Sequence, residues 1–212
     1  MTFSVRRMHA GDLEQVQDID KEAFPSQWPT PNYRQELTNK LAYYIVLCDN
    51  ERHVDVPPSA PVFKQPSLLD RILPWRKVNG ITATDKGEIT SQYIAGFSGI
   101  WMLVDEAHVT NIAVRQEYQG RGLGEFLLLS TFDLAAELNA TLLTLEVRIS
   151  NTVAQRLYAK YGFETKGVRK GYYLDNREDA LIMTTEDITT QDFHEKLKKR
   201  RRAINTRLTA LS

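Results

Sequence analysis

The chain has 212 residues, enough for one domain with a hydrophobic core, and its 27 Lys and Arg residues balance 27 Asp and Glu residues. This balance gives no global indication of a nucleic-acid or membrane partner, and a single cysteine, Cys48, excludes an internal disulfide and a cysteine-rich zinc site. The scattered histidines predict no metal site, and the absence of a signal peptide or a membrane-spanning run predicts a cytoplasmic protein.

Residues 1–48 predict two strands and two helices. Apolar alternation favours the first strand, and Asp12 is suitably placed to cap the first helix. The second strand is rich in β-branched and aromatic residues, and three prolines exclude a regular helix over residues 24–31. The predicted elements are a strand at 3–6, helices at 12–23 and 33–39, and a strand at 42–48.

The segment 50–91 differs from its surroundings because it holds five of the eight prolines and has no sustained hydrophobic period. A structureless loop of this length is uncommon within a compact domain. We interpret the segment as an insertion between two strands, partly disordered. A partner-binding segment is the alternative.

Residues 93–184 predict a hairpin followed by alternating helices and strands. The apolar run 141–147 is typical of a strand that is covered on both faces of a sheet. We therefore expect one mixed α/β domain over residues 1–190. Its remaining elements are strands at 93–102, 107–114, 141–147, 163–168 and 180–184, and helices at 122–138 and 152–161.

Residues 191–212 form a basic C-terminal tail. The Lys and Arg residues clustered in this tail predict either a solvated helix or contact with RNA or ribosome phosphates. Its cationic residues are Lys196, Lys198, Lys199, Arg200, Arg201, Arg202 and Arg207.

The most informative motif is Gln119-Gly-Arg-Gly-Leu-Gly124, called the glycine loop below, which joins a predicted strand to a predicted helix. Glycines let backbone N–H groups approach a ligand, and the helix N-terminus offers unpaired donors and a positive dipole end. The motif therefore predicts an anion site suited to a pyrophosphate, although a purely structural turn is the alternative. It lacks the Lys-Ser/Thr ending of a P-loop and the G-x-G-x-x-G spacing of a dinucleotide fingerprint.

The glycine loop resembles the acyl-CoA pyrophosphate loop of the GNAT N-acetyltransferases. Leu-Glu-Val-Arg-Ile-Ser-Asn at 145–151 and Ala-x-x-Leu-Tyr-Ala-Lys-Tyr-Gly-Phe at 154–163 are similar to the second half of that domain. Arg-Lys-Gly-Tyr-Tyr at 169–173, followed by 177–183, resembles the RimI/Ard1-like N-terminal acetyltransferases, and RimI-type ribosomal-protein alanine N-acetyltransferases most of all. The resemblance covers residues 1–50 and 92–185, whereas the insertion and the basic tail depart from it.

This resemblance implies an α/β GNAT fold, with a mixed, mostly antiparallel central sheet flanked by helices. A V-shaped opening between two central strands would hold acetyl-CoA, with no metal. Strand residues would offer main-chain groups to the pantetheine, the glycine loop would bracket the pyrophosphate, and Arg121 would add a charge contact or face solvent. The implied acetyl-CoA contacts are Ile112, Ala113, Val114, Arg115, Gln119, Gly120, Arg121, Gly122, Leu123, Gly124, Asn151 and Tyr158.

Glu146 and Tyr158 are the candidate catalytic residues. Burial within an apolar strand should raise the pKa of Glu146 toward a useful range for a general base, and the resemblance implies that role, directly or through water. A structural ion pair with Arg148 is the alternative. The resemblance makes Tyr158 the acid that protonates the departing CoA thiolate, with core packing as the alternative.

Two loops are expected to build the acceptor pocket, and aromatic walls would favour a small first residue such as Ala or Ser. Simple hairpin packing is the alternative for the paired tyrosines. The pocket residues are Glu22, Phe24, Pro25, Trp28, Tyr172 and Tyr173.

The resemblance implies direct transfer of the acetyl group, in a ternary complex, from acetyl-CoA to the α-amine of a protein N-terminus. Among possible targets it favours the N-terminal alanine of a small-subunit ribosomal protein. An α-amine has a pKa near 8, against about 10.4 for lysine, so it needs only modest help from a base. The alternatives are a GNAT enzyme for lysine side chains or small amines, and a non-catalytic CoA-binding module associated with the ribosome. A monomer or weak dimer is expected.

Overall fold

The computed structural model describes residues 2–25, 31–55, 81–83 and 89–210. The strands and helices predicted there are confirmed, with shifted ends; the second helix, for example, stops three residues before Asn39. The strands are β1 (Phe3–Arg7), β2 (Ala42–Asp55), β3 (Ile81–Ala83), β4 (Ile89–Leu103), β5 (Glu106–Val114), β6 (Leu142–Arg148), β7 (Phe163–Arg169) and β8 (Ala180–Thr185). The helices are α1 (Leu13–Ala23), α2 (Tyr33–Glu36), α3 (Leu123–Glu137), α4 (Thr152–Lys160) and α5 (Gln191–Thr209).

The strands form one sheet in the order β1-β2-β4-β5-β6-β8-β7, with β3 paired to β4 beside this path. Neighbouring strands are antiparallel except β5 and β6, which are parallel. The sheet is therefore mixed and mostly antiparallel, as predicted. The parallel pair lies at its centre.

Both ends of the 50–91 segment are strand. Residues 53–55 of β2 pair with 90–92 of β4, and β3 pairs with residues 89–91 of the same strand. The insertion is thus framed by extensions of the central sheet. The rest of the segment lies outside the described residues, so its order and its partner-binding alternative stay predictions.

Two apolar clusters cover opposite faces of the sheet because side chains alternate along each strand. On one face, α1 and α2 pack on Val46, Ile94 and Phe97, and the thiol of Cys48 is buried there too. On the other face, α3, α4 and α5 pack around Phe132, whose ring lies 5.5 to 6.3 Å from three other aromatic rings. The buried apolar residues of β6, Leu143, Leu145 and Val147, all belong to this second cluster, so β6 contributes to the apolar core through one face.

The basic tail is the helix α5, and one of its faces is buried. Phe193 and Ile204 belong to the core, while Arg201 binds Asp133 of α3 at 2.6 Å. Lys196 and Lys198 form ion pairs with acidic residues of their own neighbourhood. Three of the cationic side chains of α5 are therefore paired with acidic residues of the same chain. Contact of α5 with RNA or the ribosome stays a prediction. The oligomeric state also stays a prediction.

In the part of the chain that the structure describes, no helix combines the length and the apolar character needed to cross a membrane.

A buried ion pair ties β1 to the start of α1. The Arg6 guanidinium makes two bonds to the Asp12 carboxylate, at 2.6 and 2.8 Å, with both side chains almost inaccessible. Asp12 thus precedes α1 as predicted, but its carboxylate binds Arg6 and the His9 amide instead of capping the helix.

Asp12→Asn is expected to lower the free energy of unfolding by about 3–5 kcal/mol, because it leaves the buried Arg6 charge without its partner. Urea denaturation would measure the loss. The matched control is Asp18→Asn, which breaks an exposed 3.7 Å pair with Lys21 and should cost less than about 1 kcal/mol. Equal stabilities of the two variants would contradict this account of the buried pair.

Candidate active site

The site is created where β5 and β6 separate. Their parallel pairing covers Glu106 to Val109 on β5 and Leu142 to Leu145 on β6, and ends there among the described residues. Residues 112–114 continue to pair with β4 on the other side, so their main-chain edge toward β6 is left open. The V-shaped opening implied by the sequence is therefore present, and Ile112, Ala113 and Val114 line its β5 edge, where an extended ligand could add as a strand.

Glu146 is the first residue of β6 beyond this pairing. Its side chain is only 6% exposed and lies between two nitrogen-bearing side chains: Oε2 is 3.2 Å from Nε2 of His108, and Oε1 is 3.0 Å from Nη2 of Arg169. His108 comes from β5 and Arg169 from the end of β7. Three strands therefore hold one carboxylate at the opening.

The expected rise in the pKa of Glu146 is wrong. The hydrogen bond from His108 lowers this pKa and, together with the charge of Arg169, outweighs the effect of burial. The partner predicted for a structural ion pair also differs, since Arg148 binds Asp175 and Glu178. Glu146 is consequently ionised at neutral pH and can accept a proton only weakly unless His108 or a water shares it.

Tyr158 on α4 is buried, 7% exposed, and its ring packs 5.6 Å from that of Phe163. Burial raises the pKa of Tyr158, and the neighbouring Tyr173 raises it further. Within the described residues the hydroxyl makes no hydrogen bond, so a fully protonated donor is left available. Core packing and a proton-donating role are thus both compatible with this position.

The tyrosine loop, residues 170–179 between β7 and β8, closes over Glu146. The rings of Tyr172 and Tyr173 meet edge to face, 5.2 Å apart. Burial raises the pKa of both hydroxyls, and the charge of Glu146 adds to this rise. Arg169 lies over the Tyr172 ring. The structure therefore brings the paired tyrosines together with the candidate base.

Arg148 of β6 anchors this loop. Its guanidinium lies 3.7 Å from the Tyr173 ring centroid and makes bonds of 3.0 Å to Asp175 and 3.1 Å to Glu178. Glu178 also accepts a 2.7 Å bond from the Ser150 amide, and the bonds from Ser150 are the main reason that its pKa falls to about 2. The loop is thus attached to the same strand that carries Glu146.

The glycine loop has the backbone that its sequence predicts. Gly120 and Gly122 adopt φ angles of +76° and +89°, which favour glycine, and α3 begins directly after Gly122, at Leu123. A Cβ atom at Gly120 or Gly124 would meet nothing within 4 Å. Turned amides, a helix N-terminus and open space at two glycines fit an anionic group such as the pyrophosphate of CoA.

The side chains beside the glycine loop make contacts within the chain. Arg115 donates to the Ile94 carbonyl at 2.9 Å, Gln119 donates to the Val114 carbonyl at 3.1 Å, and Arg121 lies over the Tyr118 ring. Glu22, expected in the acceptor pocket, accepts a bond from the Gln116 amide close to this loop. Any contact of these residues with CoA would thus use mainly their main-chain groups.

The other predicted residues are dispersed. Asn151 caps α4, accepting a 3.1 Å bond from the Ala154 amide, and is exposed. Phe24 packs on the cluster beneath α1, Pro25 is exposed next to it, and Trp28 lies outside the described residues. The first half of the acceptor pocket therefore stays a prediction.

Sequence reasoning missed His108 and assigned no role to Arg169. Both reach Glu146 from other strands, and His108 is 38 positions away in the chain. His108 alternates with the core residues Ala107 and Val109 along β5, just as Glu146 alternates with Leu145 and Val147 along β6, and this shared alternation on neighbouring strands is the signal that could have identified it.

Comparisons with known proteins agree with this architecture. The model of the acetyltransferase (GNAT) family matches residues 13–163. A Bacillus subtilis (strain 168) protein, provisionally named as a ribosomal protein bS18-alanine N-acetyltransferase, is 35% identical over 181 residues, which are 85% of this chain and 93% of that protein.

Two solved structures share the fold. The ribosomal-protein-S18-alanine N-acetyltransferase from Escherichia coli matches with a TM-score of 0.62 and 25% identity, over 86% of this chain and 92% of that one. A GNAT family acetyltransferase from Elizabethkingia anophelis, crystallised with acetyl-CoA bound, matches with a TM-score of 0.59 and 19% identity, over 87% of this chain and 98% of that one. The chain therefore belongs to the GNAT family of acetyltransferases.

Proposed function

We propose that the protein transfers the acetyl group of acetyl-CoA to the α-amine of a protein N-terminus. The observation that carries the proposal is the position of the Glu146 carboxylate, which lies beside His108 where β5 and β6 separate and beneath the tyrosine loop. An acceptor entering past the tyrosines and an acetyl-CoA lying along β5 would meet at this carboxylate.

Each reacting group has a counterpart in the chain. As the amine nitrogen forms its bond to the acetyl carbon and the bond from that carbon to sulfur breaks, Glu146 takes the amine proton, assisted by His108 or a water. Tyr158 supplies a proton to the departing thiolate. Because an α-amine has a pKa near 8, a fraction of it is already neutral near pH 7, so the reaction needs only modest help from a base.

Acetyl-CoA would bind along the open edge of β5, with its pyrophosphate in the glycine loop. The main-chain groups of residues 112–114 would hold the pantetheine, and the amides around Gly120, Gly122 and Leu123 the phosphates. Asn151 and Tyr158 would contact the arm near the thioester.

The acceptor that we propose is the N-terminal alanine of a small-subunit ribosomal protein, which would place the reaction in the cytoplasm. Two observations support it: the names of the relatives in Bacillus subtilis and Escherichia coli, and the edge-to-face pair of Tyr172 and Tyr173 beside Glu146. An acceptor pocket with these two rings as its walls would admit a small first residue more easily than a large one.

Mass spectrometry of acetyl transfer to two peptides tests the proposal. One peptide has a free N-terminal alanine and no lysine, and the other is blocked at its N-terminus and carries one internal lysine. We expect acetylation of the first peptide alone, and a loss of rate when its alanine is replaced by leucine. Acetylation of the lysine peptide alone would move the enzyme to the lysine or small-amine class.

A further inference from the structure

We propose that Arg207 of α5 is a positioning residue for acetyl-CoA, because it fixes the peptide plane of the glycine loop that faces the pyrophosphate. The inference rests on the proposed function in one respect, that CoA is the ligand of this loop. It assigns a role to the basic C-terminal helix, whose charges otherwise have no part in the reaction.

The contact that carries the proposal is a hydrogen bond of 2.8 Å from Nη2 of Arg207 to the carbonyl oxygen of Gly120. A trans peptide is planar, and its C=O and N–H bonds point in opposite directions. Holding the Gly120 carbonyl toward α5 therefore turns the N–H of Arg121 to the other side of the loop. Gly120 has no Cβ and a φ of +76°, so without this bond its peptide plane would rotate easily.

The same helix fills one side of the loop. A Cβ atom at Gly122 would lie 2.7 Å from Cδ1 of Ile204 and 3.6 Å from atoms of Arg207, so α5 packs directly against this glycine. Open space exists instead at Gly120 and Gly124. An anion has room on the side that α5 leaves free, which is the side toward which the Arg121 amide points.

Helix α5 is itself held firmly enough to act as a support. Phe193 and Ile204 are 2% and 3% exposed within the core, and Arg201 binds both Asp133 and the carbonyl of Leu129 on α3. Because the glycine loop leads directly into α3, α5 contacts and stabilises both the loop and α3. Preorganised amides bind an anion more tightly than amides that must first be ordered.

The experiment compares Arg207→Ala, Arg207→Lys and Arg202→Ala by calorimetric titration with CoA. Arg202→Ala is the matched control, since it removes the same charge from the exposed side of the same helix. We expect Arg207→Ala to weaken CoA binding roughly tenfold, the effect of one charge-assisted hydrogen bond. Arg207→Lys should recover part of the affinity, and Arg202→Ala should stay within twofold of the wild type.

A second measurement uses S-acetylpantetheine, a thioester donor without the pyrophosphate. For Arg207→Ala, kcat/KM should fall with acetyl-CoA, through KM, and be unchanged with S-acetylpantetheine. An equal fall with both donors, an equal effect of Arg202→Ala, or unchanged CoA affinity would overturn the proposal. Because the titration needs no acceptor, its result is independent of which amine is acetylated, whereas a wild-type chain that binds no CoA would overturn the proposed function as well.

Discussion

Replacing Glu146 with glutamine should lower kcat for an alanine N-terminal peptide by about 10²- to 10⁴-fold, the range that a general acid–base group contributes. Glutamine has nearly the same shape but cannot accept the amine proton. Its neutral amide also weakens the pairing with His108 and Arg169. CoA affinity, measured by calorimetric titration, should stay within twofold because the glycine loop is untouched.

The dependence of kcat/KM on pH, compared between the wild type and Glu146→Gln, distinguishes titration of Glu146 from titration of the substrate amine. The pKa of Glu146 is lowered by His108, so the carboxylate stays ionised as the pH falls through neutrality. The rise of kcat/KM with pH should therefore follow the substrate amine, near pH 8, in both the wild type and the variant, with only the plateau reduced. Glu106→Gln, the same change at the far end of the β5–β6 pairing, is the control and should retain full activity. Full activity of Glu146→Gln would show that this carboxylate is structural.

Replacing Tyr158 with phenylalanine should lower kcat by about 10²-fold while leaving the fold as stable as before. The hydroxyl makes no hydrogen bond within the described residues, and the ring contact with Phe163 is kept. Steady-state kinetics with acetyl-CoA and a melting curve measure the two effects.

The control for Tyr158 lies three residues along the chain. Tyr161→Phe removes a 2.6 Å bond to Glu125, so it should cost about 1 kcal/mol of stability and leave kcat nearly unchanged. If Tyr158→Phe instead keeps its kcat within twofold, the tyrosine serves only to pack the core and another group protonates the thiolate.

Features with a local cause were predictable from the sequence. The glycine loop is one: positive φ angles at Gly120 and Gly122 and a helix start directly after them follow from residues within a few positions of one another. The hairpin between β4 and β5 and the apolar run of β6 are others. In each, the chain neighbours alone determine the backbone.

Features that depend on contacts between residues far apart in the chain could not be predicted from the sequence. The pKa of Glu146 was predicted from burial alone, but its direction is set by His108 and Arg169, which only the strand order brings close. Charge pairing was predicted between residues two apart on β6, whereas Glu146 pairs with residues of β5 and β7, and Arg148 pairs with the tyrosine loop. The burial of one face of α5 was not predicted from the sequence, because most residues of this segment are charged or polar. The spacing of the apolar residues nevertheless marks one helical face, formed by Phe193, Leu197, Ile204 and Leu208.

The attachment of the tyrosine loop to β6 has a consequence for how such an enzyme can change its substrate. Arg148 contacts Tyr173 and Glu178, while Glu146, two residues earlier on the same strand, is the base that we propose. A substitution that changes the tyrosine loop to fit another acceptor would also shift β6, the strand that positions Glu146. Broader acceptor choice would then be accompanied by slower turnover, so divergence of specificity in this scaffold should proceed through paired changes in the loop and in β6.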